Sequence, residues 1–279
     1  MQLELPWALG PADGRYVVRE AAGDPPSHVL VLATLGAPQR RRLRDRRGRA
    51  SATEPSPTPV PITRATVIDA APTSRAEAEL WVASAGGDEA QAALAVVTRA
   101  VRAHRIAGGD PAVRDPSLAH ALVVRAGFGA GEEVADGRWS AARELPPPRA
   151  PRGRRAAVLH PQERMAALLG GHDRALACEE LTLRARADLD AGAVREAALQ
   201  LHAALEAAIV ELGDDASSSS DLSARVDELR ERAPALAELA RRAAGDAGWQ
   251  DRDALLAQTL QRLEAALRAR IARKLSGSR

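Results

Sequence analysis

Cysteine occurs once, at Cys178, so no disulfide can form within the chain and a cluster of thiolate metal ligands is excluded. Lysine also occurs once, at Lys274, and the basic side of the sequence is otherwise arginine. Aromatics make up only 2% of the residues, which counts against the multi-ring stacking platforms of single-stranded nucleic-acid binders. No apolar run approaches the ~20 residues that cross a bilayer. The opening MQLELPWALG has no basic stretch leading into an apolar one. The expected location is cytoplasmic, which suits a single unpaired thiol.

What is present favours helices. Hydrophobic residues reach 46% with almost no aromatics, so cores must be built from Ala, Leu and Val. Ala and Leu lose little rotamer freedom in a helix and allow close packing. The net charge is only +2, so overall charge does not mark a nucleic-acid binder, and any such role must rest on local clustering. A GC-rich coding bias, which enriches Ala, Arg, Gly and Pro together, accounts for the arginine use without a ligand.

The first part reads as α+β. Gln2–Leu9, Gly14–Arg19 and His28–Leu35 carry strand patterns separated by Asp-Gly and Asp-Pro-Pro turns, which predicts a small antiparallel meander. Thr63–Asp69 restores a strand after an interruption at about 38–61, rich in Arg, Ser, Thr and Pro and expected to be a mobile insertion. Thr73 or Ser74 with Glu77 makes a capping box for a helix over Arg75–Ser84. A second helix is expected over Asp88–Ala107 and a further strand over His120–Ala126. For Glu132–Glu144, helix and hairpin stay open.

Three consecutive prolines at 146–148 and the arginines after them mark a linker over 146–156, dividing a domain at 1–145 from a helical one at 157–279. Beyond the linker the pattern is all-α, a bundle or short solenoid. Helices are expected over Pro161–Leu169, Arg174–Ala191, Val194–Leu212, Leu222–Arg232, Ala235–Ala244 and Asp251–Leu275. The last carries Leu256, Leu260, Leu263, Leu267 and Ile271 on one stripe, expected to pair with a helix of a partner or of a second copy. Arg262, Arg268, Arg270, Arg273 and Lys274 near its end complement the helix dipole.

Leu181–Gly213 resembles one tetratricopeptide-like unit. Ala185 stands at a small position of the first helix, Gly192 between the helices, and Ala197, Leu201, Ala204 and Leu205 on the second. Asp188 departs from the pattern, and Ile209 replaces the usual closing proline. The resemblance implies a protein–protein scaffold.

Candidate chemistry is thin. The histidines form neither an HxxxH nor an HExxH arrangement, so no metal site is read, and no cofactor is expected. Arg155 with His160 and Arg195 with His202 are spaced in a way that is similar to the arginine–histidine signature of HEPN ribonucleases. In that family the pair polarises phosphate and moves protons, which makes Arg195 and His202 the low-ranking catalytic alternative. The Gly-rich run 127–131 is followed by Glu132 and Glu133, which repel phosphate, so it reads as a turn. Cys178 beside Glu179 and Glu180 reads as structural. Arg40, Arg41, Arg42, Arg44, Arg46, Arg47 and Arg49 form the one run able to grip phosphates, in salt-sensitive fashion. The leading expectation is a non-enzymatic adaptor or assembly protein; the alternative is a nucleic-acid-associated protein using that run.

Overall fold

Alternation of apolar side chains builds the first layer. The computed structural model describes residues 1–36, 60–71, 73–146, 161–217, 219–246, 249 and 254–277. The chain divides into two units, Met1–Ala150 and Pro151–Arg279.

In the first unit the strands are β1 (Gln2–Leu5), β2 (Gly14–Val18), β3 (His28–Leu35), β4 (Ile62–Asp69), β5 (Val123–Phe128) and β6 (Ala141–Glu144). They form one six-stranded sheet in the order β2-β3-β4-β1-β5-β6, antiparallel throughout. The expected meander of the first three strands is corrected here: β1 does not pair with β2 but inserts between β4 and β5. Leu3 and Leu5 are fully buried and Gln2 nearly so, which suits an interior strand rather than an edge.

Because β4 and β5 both run antiparallel to β1, they are parallel to each other and need a crossover connection. Helices α1 (Arg75–Ser84) and α2 (Gly87–Gly108) supply it. Ser74 and Glu77 form the expected reciprocal cap of α1. Leu94, Val97 and Val101 of α2 share a core with Leu3, Leu30, Leu32, Ala65, Val67 and Val124. On the reverse side, Arg125 Nη1 donates to Gln2 Oε1 (2.7 Å) and Gln2 Nε2 to Thr66 Oγ1 (3.3 Å), a polar row across three neighbouring strands. The open choice at 132–144 resolves into a short 3-10 turn at Gly131–Val134 followed by β6.

The second unit contains α3 (Pro161–Leu169), α4 (Ala177–Asp190), α5 (Val194–Glu211), the short α6 (Gly213–Ala216), α7 (Ser220–Gly245) and α8 (Ala254–Gly277). The split expected at Pro234 does not occur, and α7 runs through it. Proline costs about 3 kcal/mol inside a helix. Burial of Leu222, Val226 and Leu229 before Pro234, and of Leu236 and Leu239 after it, offsets that cost. Gly192 (φ +77°) closes α4 in the left-handed conformation, with Ala193 N donating to Asp188 O (2.8 Å) and Gly192 N to Leu189 O (3.1 Å). The α4–α5 pair packs through Ala185, Ala197, Leu201, Ala204 and Leu205, all buried. Asp188, the departure from the tetratricopeptide-like pattern, accepts a hydrogen bond from Gln200 Nε2.

Among the described residues no helix is long and apolar enough to cross a membrane.

Candidate functional site

The apolar stripe of the last helix is not a free surface. Leu256, Leu260, Leu263 and Leu267 belong to the core of the helical unit, among Leu201, Leu205, Leu229 and Leu236, and Ile271 is buried as well. This corrects the expectation that the stripe meets another chain. The unit's own helices cover it: α8 packs against α7, and against α4 and α5, within the one apolar core.

The opposite situation holds at α3. Pro161 suits the first turn of a helix, where its missing N–H is not needed, and Ala166–Leu169 are good helix formers. Gly171 (φ +73°) ends it, with His172 N donating to Ala167 O (2.8 Å) and Gly171 N to Leu168 O (3.3 Å). Yet α3 buries none of its residues. Met165 is 52% exposed and Leu169 82% exposed.

Charge holds this helix in place. Arg164 Nη2 donates to Glu179 Oε1 (2.6 Å), and Arg164 Nε lies 3.5 Å from Asp173 Oδ2. The same carboxylates face α8. Arg270, only 1% exposed, donates through Nε to Asp215 Oδ2 (2.8 Å) and through Nη2 to Asp173 Oδ1 (3.4 Å). Its Nη1 lies 3.7 Å from Glu179 Oε1. Lys274 Nζ donates to Asp173 Oδ1 (2.8 Å) and Arg273 Nη2 to Asp215 Oδ1 (3.1 Å). Burial alone raises the Asp173 carboxyl. The Lys274 hydrogen bond, the backbone N–H of Arg174 and the charges of Arg270 and Lys274 outweigh it and bring the pKa to about 2. The second oxygen of Glu179 accepts from Leu176 N (3.0 Å) at the start of α4. One network thus joins α3, the turn after it, α4, α6 and α8.

Sequence reading assigned Arg270, Arg273 and Lys274 to the helix dipole. The usable signal was their register. Positions 256, 260, 263, 267, 270 and 274 continue one spacing of four and three residues, so Arg270 and Lys274 extend the apolar stripe. A charge in that register has to meet counter-charges.

Arg195 and His202 both lie on α5, two turns or about 10 Å apart along the axis. Arg195 Nε donates to Ala243 O (2.8 Å) and its Nη2 to Ala244 O (3.4 Å), so the guanidinium caps the last carbonyls of α7. His202 Nδ1 is buried with no hydrogen-bond partner among the described residues. The arginine run 40–49 and the pair Arg155–His160 lie outside the described residues. Cys178 is fully buried. Burial, then the hydrogen bond and charge of Glu211, push its thiol well above the ordinary range. Among the described residues no group of three or more His, Cys, Asp or Glu side chains is placed to hold a metal ion.

Comparison with protein-family models, with curated proteins and with solved structures returned no match.

Proposed function

We propose that this chain is a non-enzymatic adaptor or assembly protein of the cytoplasm, and that α3 is the element through which it grips a protein partner. The observation that carries this reading is a helix without a single buried residue, its Met165 and Leu169 open, anchored by Arg164 to a buried ion network. An isolated helix of this length is marginal in water. Arg164 and the Gly171 closure hold it folded, leaving its apolar side for a partner's groove or helix. Leu183 on α4 and Val210 on α5 are further exposed apolar residues of the same unit. The close-packed α4–α5 pair supports the same reading through its likeness to a tetratricopeptide-like unit.

The test is a photo-crosslinker placed at Ala166 in the full chain, expressed in the native host, with and without nuclease. The expected result is a discrete protein adduct that survives nuclease and is lost in the double variant Met165→Ser, Leu169→Ser. An adduct indifferent to both substitutions, or none at all, refutes α3 as the contact element. Partners that vanish with nuclease favour the arginine run instead.

A further inference from the structure

The first unit holds a half-enclosed cavity of about 240 Å³ at the break between α1 and α2. Its walls are apolar, formed by Ala90 of α2 together with Leu118, Val124 and Leu145. A single charged side chain, Arg143 of β6, completes the lining. Arg143 stands opposite Ala126 on the helix-covered side of the sheet. Its Nε donates to Val82 O (3.0 Å) and Nη2 donates to Ala85 O, so half of the guanidinium caps the end of α1. Among the described residues no carboxylate pairs with it. Asp88 and Glu89 directly follow the lining residues Gly86 and Gly87, but Glu89 Oε2 accepts from Gly86 N (2.7 Å). Two carbonyls at the end of α1 take Nε and one Nη2 hydrogen, and the guanidinium donors left over, beside an apolar wall, suit the oxygens of an anion.

Gly86 and Gly87 form part of the lining. Neither has a left-handed φ. A Cβ at Gly87 meets nothing within 4 Å, and one at Gly86 meets only ordinary contacts at 3.8 and 4.0 Å. Neither crowding nor backbone conformation therefore calls for glycine at this pair. What the missing side chains leave is open space beside the cavity lining.

We infer that this cavity is a binding site for a short apolar chain ending in a carboxylate, the chain against Leu118, Val124 and Leu145 and the carboxylate on Arg143. At about 30 Å³ per water-sized group, the volume holds about eight non-hydrogen atoms, the size of hexanoate. The same chemistry is presented by a free short-chain acid and by a polypeptide C-terminus ending in an apolar residue. This inference is independent of α3.

The experiment titrates the full chain with hexanoate, hexanamide and hexan-1-ol, following amide NMR shifts. Saturable shifts confined to α1, α2, β5 and β6 are expected, with hexanoate at least tenfold tighter than either neutral analogue. Arg143→Gln should remove that tenfold preference. Gly87→Leu, whose Cβ meets nothing within 4 Å, adds a bulky apolar group to the lining and should abolish binding while the circular dichroism spectrum stays unchanged. Because Arg143 also holds the end of α1, the Gly87→Leu arm decides if Arg143→Gln does not fold. Equal affinity for acid and amide, no saturable shift, or full binding by Gly87→Leu overturns the inference. A Gly-Gly-Leu peptide, free or amidated at its C-terminus, separates the two sources. Tighter binding of the free peptide than of hexanoate assigns the site to a chain end, and the reverse assigns it to a free acid.

Discussion

Replacing Arg270 by methionine removes a guanidinium that is 1% exposed and leaves Asp215, Asp173 and Glu179 each short of one cation. Breaking a buried ion pair by deleting one partner costs about 3–5 kcal/mol. The carboxylates are not orphaned, because Asp215 keeps Arg273, Asp173 keeps Lys274, and Glu179 keeps Arg164. The lower end of that range, about 3 kcal/mol, is therefore expected. For a unit of this size it corresponds to a fall in Tm on the order of 10 °C. Far-ultraviolet circular dichroism during thermal and urea unfolding reads it out, since most of the helix belongs to the second unit.

The acid limb supplies an independent check. The folded pKa of Asp173, about 2, lies below the ordinary 3.8, so the stabilisation it carries is complete above pH 4 and drains as pH falls through 2. That gap is worth about 2 kcal/mol, and part of it is the attraction to Arg270. The difference between wild type and Arg270→Met should therefore be larger at pH 7 than at pH 2. Arg270→Lys, which keeps charge but loses the planar fork, should fall between the two. A loss under about 1 kcal/mol at pH 7, or a difference that does not shrink with acid, refutes the view that the network fastens α8 to the start of the unit.

Cys178, fully buried with its thiol pKa raised, should react with a thiol-specific reagent only as fast as the unit unfolds. Rapid native-state labelling would contradict the packing. Arg195→Ala should cost about 1 kcal/mol in urea unfolding by uncovering the last carbonyls of α7, the usual worth of a hydrogen bond. A neutral substitution would show that water replaces the cap without penalty.

Local rules were legible wherever one short stretch carries the whole signal. The Ser74–Glu77 cap and the bounds of α1, α3 and β3 needed only caps, periodicity and turn residues. Pro234 was misread because propensity is a local cost, whereas α7 is held on both sides of the proline by leucines buried in the unit core. The place of β1 in the sheet was likewise out of reach, since register with β4 and β5 joins residues about sixty or more positions apart, as Gln2 with Thr66.

The same division separates the site from its surroundings. By itself the sequence determined the helical second half and the stripe on its last helix, because periodicity specifies those. Only the tertiary structure decided that the stripe is covered, that Arg270 and Lys274 reach Asp173 from about a hundred positions away, and that α3 stays open. Arginine is too common in this chain for any one of them to stand out along the sequence, and burial, which gives a single guanidinium its meaning, exists only once distant helices meet.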